Sequence, residues 1–254
     1  MNPRVLKKDG FKHLDRVINI CAKHGIYTIL DLHTGRYLSL RSRVLRQLSP
    51  NHSAPGGQNN DWHSDHGTHI AAFWLHKDFQ DRIIWLWQEL AKHYRDNTWV
   101  AGYNPLNEPT DPSHTRVVEF YDRVYGAIRA IDPNHAIFFD GNTFASDFSH
   151  FGDYHKKWDN TAYSIHDYSL FGFPGSPAFV GSEEQQRRLQ RSYEKKREWM
   201  DERGLCVWNG EWGPVYARKE YDGDQTDEIN RVRYRVLKAQ LDIYNKVSSS
   251  ELFL

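Results

Sequence analysis

Short β-rich runs alternate with helix-length amphipathic segments along most of this chain, and that alternation restricts its fold more than any other feature. Ile26–Leu32, Trp99–Asn104, Ala136–Phe139, Thr161–Ile165 and Leu205–Trp208 read as strands. Gly10–His24, Lys77–Arg95, a segment from Pro112 and Ser113 to about Ile131, Ser182–Arg203 and Asp224–Lys246 read as helices. In the first of these, Phe11, Leu14, Val17, Ile18 and Cys21 recur at helical spacing, and Gly25 marks its end. Repeated strand–helix units build a parallel sheet. Polar residues recur just after the strands: His33, Asn107, Glu108, His166, Tyr168 and Glu211. Chemistry spread over the carboxyl ends of several strands is the habit of a βα barrel. A doubly wound sheet would gather it at one switch-point crevice. No G-x-G-x-x-G or Walker-type phosphate loop occurs.

Two of these residues are carboxylates in informative settings. Glu108 lies in Asn104-Pro105-Leu106-Asn107-Glu108-Pro109, and Glu211 in Trp208-Asn209-Gly210-Glu211-Trp212-Gly213-Pro214. Two carboxylates facing one glycosidic bond are the working parts of a glycoside hydrolase. Pro109 is expected to hold Glu108 in extended or polyproline dihedrals. His166 and Tyr168, two apart, share a face of an extended segment.

Length and charge narrow the function. A single βα barrel needs about 250 residues, and the chain has 254. Its 33 basic and 33 acidic residues balance, which argues against partners recruited by charge, nucleic acid and anionic membranes among them. No apolar run approaches the roughly 20 residues that span a bilayer. Cys21 and Cys206 give no disulfide framework. No secretory signal opens the chain, so a cytoplasmic location is expected, with secretion as the alternative. Aromatics make up 14% of the chain, including nine Trp, which suits sugar stacking as well as core packing. Trp62 and Trp212 are the candidate platforms. His63, Asp65, His66 and His69 are plausible zinc ligand types, but their spacing matches no closed site, so neither metal nor other cofactor is expected.

Asn107-Glu108-Pro109, His166-Asp167-Tyr168 and Asn209-Gly210-Glu211-Trp212-Gly213 together resemble the motifs of glycoside hydrolase family 5, the cellulase and exo-β-1,3-glucanase family of (β/α)8 barrels. Asp31-Leu32-His33 followed by Ala54-Pro55-Gly56-Gly57-Gln58-Asn59 resembles its exo-β-1,3-glucanase-like branch. The resemblance runs from about Gly10 to Tyr244. It implies a retaining hydrolase of β-linked glucan or oligosaccharide, with Glu108 as acid/base and Glu211 as nucleophile. It further implies that Asn107 bonds the sugar 2-hydroxyl and that Tyr168 orients the nucleophile. His166 would sit near the acid/base, and His33 would contact the sugar undergoing cleavage.

The sequence departs from the family pattern in three places. The helix at Gly10 comes where two βα units precede it in the family, residues 35–53 form an atypical basic insertion, and the tail at 247–254 lacks the tryptophan of an eighth strand. The expected architecture is therefore one partial barrel domain over 1–254, with strands 3 to 7 present and 1, 2 and 8 missing. Impaired activity is expected to follow. The rival reading is an inactive barrel fragment or carbohydrate-binding remnant, and a third is a hydrolase completed by a partner chain.

Overall fold

The structure, a computed structural model, describes residues 4–6, 8–33, 54–60, 69–169, 171, 176–214 and 223–251. The insertion at 35–53, Trp62 and the His63–His66 stretch of the metal candidate lie outside the described residues. Helices and strands alternate as α1 (Lys12–Lys23), β1 (Thr28–Asp31), α2 (Lys77–Tyr94), β2 (Val100–Asn104), α3 (Arg116–Arg129), β3 (Ala136–Asp140), the single turn α4 (Asn142–Ala145), β4 (Thr161–Tyr168), α5 (Glu183–Asp201), β5 (Val207–Gly213) and α6 (Thr226–Glu251). Among the described residues the strands lie in the sheet in chain order, β1-β2-β3-β4-β5. The three pairings from β1 to β4 are parallel. Sequential order with helical crossovers is the pattern of a βα barrel, and the five strands make an incomplete one. No helix among the described residues is long and apolar enough to cross a membrane.

Met1–Ser164 and Ile165–Leu254 form two compact units, and β4 contributes its first half to one and its second half to the other. The first unit is built on aromatic packing. Trp87 is buried against Tyr103 and donates its indole N–H to the Pro105 carbonyl at 2.9 Å. Trp158 lies in a buried group with Phe139 and Phe151 and donates to Asp122. Truncating a buried aromatic of this kind costs about 3–5 kcal/mol. Trp74 and Trp199 are buried too, so much of the tryptophan surplus serves packing.

Gly102 shows how tightly β2 and β3 meet. A Cβ there would stand 2.2 Å from the Ala136 carbonyl oxygen, so the approach of these strands requires glycine. Helix α1 forms where the spacing predicts it. Of its apolar stripe only Ile18 is buried, while Leu14 and Val17 are exposed. The helix is joined to α2 at its start, by Phe11 stacked on His93 and by Asp15 accepting from Tyr94.

In the second unit, Phe171, Phe179, Leu189 and Val236 make the core between α5 and α6. Ser182 caps α5 by accepting from the Gln185 N–H, and the Gln185 side chain accepts in return from the Val180 and Gly181 amides. This is the reciprocal logic of a capping box. Asp167, buried on β4, binds Lys196 of α5 at 2.6 Å and Tyr244 of α6 at 2.7 Å. One side chain thereby ties the strand to both helices. Burial, followed by the charge of Asp167, pushes the Tyr244 hydroxyl well above its usual range, so it remains a donor.

Candidate active site

In the first unit the polar residues gather on the segments that leave β1, β2 and β3. His33 follows β1, with its Nδ1 2.9 Å from Asp31 Oδ2. The chain then meets the β2 segment through main-chain bonds: Leu32 N–H donates to the Asn104 carbonyl, and Asn107 N–H donates to the Leu32 carbonyl. Asn107 is buried, and its carbonyl accepts from Gln58 Nε2 at 3.0 Å. Among the described residues its own side-chain NH2 has no partner. A buried amide donor without an acceptor is costly, and a bound hydroxyl is the kind of group that would satisfy it.

Glu108 corrects one expectation. Its φ is +45°, in the left-handed region, and not extended as the following proline suggested. The reason is tertiary. Asp140 Oδ2, at the end of β3, accepts the Glu108 N–H at 2.9 Å, and Asn59 Nδ2 donates to the Glu108 carbonyl at 3.0 Å. Asp140 is fully buried and is itself held by Asn104 Nδ2 at 2.9 Å. Its carbonyl accepts from the Tyr121 hydroxyl. Side chains from two other segments thus fix the peptide on both sides of Glu108 and offset a backbone strain of about 1–2 kcal/mol.

Asp140, Gln58 and Asn59 were not singled out by sequence as site residues. Asp140 carried a usable signal, since a carboxylate at the end of Phe138-Phe139-Asp140 stands where barrel enzymes keep functional groups. Gln58 and Asn59 were quoted only within the Ala54–Asn59 resemblance, and they act from a loop through backbone partners.

In the second unit β4 and β5 run further than their apolar runs suggested. His166 and Tyr168 lie inside β4, and Glu211 lies inside β5, where the sequence had placed each beyond a strand end. Polar residues on alternating positions end an apolar run without ending a strand. His166 and Tyr168 share one side of β4, opposite Asp167. The Tyr168 hydroxyl donates to Glu211 Oε2 at 3.0 Å. His166, 5% exposed, has its Nδ1 3.8 Å from the same oxygen. Within its own unit His166 thus stands beside Glu211. With its amide turned to suit its neighbours, Asn209 donates to the carbonyls of Glu211 and Ile165 and joins β5 to β4. Trp212, next in the strand, is half-buried and meets Tyr244 of α6 edge-on at 5.2 Å.

The structure therefore brings Tyr168, His166 and Glu211 together in the second unit, and His33, Asn107 and Glu108 onto connected segments in the first. Chemically, the first group offers a carboxyl group on a rigid main chain beside a donor that no described residue satisfies. The second offers a carboxylate held at one oxygen by a phenol.

Comparison with known proteins gives these features a lineage. The cellulase model of glycosyl hydrolase family 5 matches residues 1–245. A beta-xylosidase of Phanerodontia chrysosporium is 72% identical over 247 residues, which cover 97% of this chain and 48% of that protein. Endoglucanase C of Acetivibrio thermocellus is 25% identical over 169 residues, 66% of this chain and 41% of that protein. The chain thus spans about half or less of these relatives. Among solved structures, the cellulose synthase subunit Z of Clostridioides difficile superposes with a TM-score of 0.68 at 17% identity, over 96% of this chain and 72% of that one. An endoglucanase structure gives 0.64 at 14% identity, over 94% and 68%. At such identities the structures speak to the fold alone. With the family model matching nearly end to end, the chain belongs to glycosyl hydrolase family 5.

Proposed function

We propose that this chain carries the two catalytic carboxylates of a retaining glycosidase that cleaves β-linked sugars. In the first step Glu211 attacks the anomeric carbon while Glu108 gives its proton to the departing oxygen. A covalent glycosyl–Glu211 ester results. In the second step Glu108, now a carboxylate, takes a proton from water, which attacks the same carbon and releases Glu211. Such a double displacement requires the two carboxyl groups about 5–5.5 Å apart.

The observation that carries this reading is the 3.0 Å hydrogen bond from Tyr168 to Glu211 Oε2. A phenol donating to one carboxylate oxygen fixes the direction in which that group faces. The role of Glu108 is supported by its main-chain clamp. The unpartnered NH2 of Asn107, one residue away, supports a bond to a sugar hydroxyl. His33 is the further candidate for substrate contact. Trp212, turned to Tyr244, has less to offer as a stacking platform.

The substrate class is a β-linked glucan or oligosaccharide. The name of the 72% identical relative brings β-xylosides into the same class of candidates. The test is steady-state hydrolysis of aryl β-glucosides, aryl β-xylosides and β-1,3- and β-1,4-linked glucans, with the anomer of the first product read by NMR. Retention of configuration is expected, with Glu211→Gln inactive. Inverted product, or a loss below tenfold in Glu211→Gln, would overturn the assignment. Sugar binding without turnover in the unsubstituted chain would favour the binding-remnant reading.

A further inference from the structure

Beyond the carboxylates, the first unit holds a second cluster of ligand-type side chains. His114 lies on the segment between β2 and α3, and Asp147 and His150 lie on the segment between β3 and β4. One ligand atom from each lies within 4.8 Å of the others. Their imidazole rings stack, with centroids 4.8 Å apart and planes at 26°. We propose that His114, Asp147 and His150 bind a divalent transition-metal ion of the zinc type, clamping the segment after β2 to the segment after β3.

The donor set fits. Two imidazoles and a carboxylate are what zinc takes when it keeps a fourth position for water. Zn–N and Zn–O bonds of about 2.0–2.2 Å put tetrahedral donors roughly 3.3–3.6 Å apart. The cluster needs only a modest contraction to reach that spacing. His150 is exposed and can supply it by rotating.

The hydrogen bonding of the cluster does not close on itself. Asn142 is oriented by two bonds to the Asp111 main chain, accepting at 2.8 Å and donating at 3.0 Å. Its NH2 therefore also faces His114 Nδ1, at 3.0 Å. Asp147 Oδ2 lies 3.2 Å from the same nitrogen. One ring nitrogen cannot accept from the amide and donate to the carboxylate at once. In either tautomer one contact is frustrated, and a cation on the carboxylate relieves its share. His114 is also held at φ +62° and the α4 turn at φ +55° to +57°, so both segments are set in strained conformations that a surrounding structure must enforce.

The test is calorimetric titration of Zn2+ into the chelator-stripped chain, with Co2+ absorption reporting coordination. Saturable binding is expected, with a rise in melting temperature. His150→Ala, at an exposed position, is expected to keep its circular dichroism and to weaken binding at least tenfold, and Asp147→Asn to do the same. A double His63→Ala, His66→Ala variant is expected to bind as before. The proposal is overturned if the unsubstituted chain gives no saturable binding. It is equally overturned if His150→Ala and Asp147→Asn both bind within twofold of it, or if the double variant abolishes binding.

Discussion

Glu108 and Glu211 are held in opposite ways. Glu108 sits on an irregular segment in left-handed backbone, and the groups that fix it grip its peptide: Asp140 takes the N–H and Asn59 the carbonyl. Glu211 sits in a regular strand, and its carboxylate itself is gripped, at Oε2, by Tyr168. The difference matches the proposed roles. An acid/base is best carried to one fixed place by its main chain. A nucleophile is best aimed through the carboxylate itself. Position comes from the main chain in one case and from the side chain in the other.

The largest expected effect tests the side-chain arrangement. Glu211→Gln should lower kcat on an aryl β-glycoside by at least about three orders of magnitude, because no covalent intermediate forms, while its circular dichroism stays unchanged. Tyr168→Phe should follow, with a loss of about 10–100-fold in kcat, the scale of one charge-assisted hydrogen bond. Tyr168 is 41% exposed, so thermal unfolding should shift by less than about 0.5 kcal/mol in equivalent stability. A stability loss as large as the activity loss would show that Tyr168 is structural.

The main-chain arrangement predicts the reverse pattern. Asp140→Asn leaves a buried N–H facing an amide, and it should cost about 1–3 kcal/mol in chemical denaturation as well as activity. Loss of activity at unchanged stability would mean that Asp140 acts on substrate and not on the Glu108 peptide. The smallest effect isolates the strain. Glu108→Gly should be more stable than Glu108→Ala by about 1 kcal/mol, since glycine adopts left-handed backbone freely. Equal stability would remove the left-handed conformation from the account.

The first unit should also lose stability in acid. Asp111 and Asp132, both in the first unit, have carboxyls below the usual range. Burial pushes each up, but Ser113 and Arg116 at Asp111, and Tyr103 and His135 at Asp132, more than offset it. A depressed carboxyl pKa contributes stability that is present above the unfolded-state value of about 3.9 and lost as pH falls through the lower folded value. Amide exchange should show the first unit losing protection below about pH 3.9, and Asp132→Asn should flatten that dependence.

Much of the architecture was legible in the chain. The helix at Lys77–Tyr94 and the strand at Val100–Asn104 came directly from apolar spacing and β-rich composition, because burial of one face dictates which residues must be apolar. The extent of β4 and β5 was not legible. His166, Tyr168 and Glu211 are polar residues inside strands, and a polar residue looks like a strand end when its inward neighbours are unknown. The stripe of α1 correctly marked a helix, but how much of it is buried was not legible, since an apolar face states what a helix can bury and not what lies against it.

The sequence by itself determined the order of elements and the family and singled out the two carboxylates as candidates, because these depend on residue type and spacing along one chain. Tertiary structure alone decided how each carboxylate is held. Asp140 is 32 residues from Glu108 and Tyr168 is 43 from Glu211. Hydrogen bonds over such separations exist only once the strands have been brought side by side, and they override the local preference that Pro109 would have imposed.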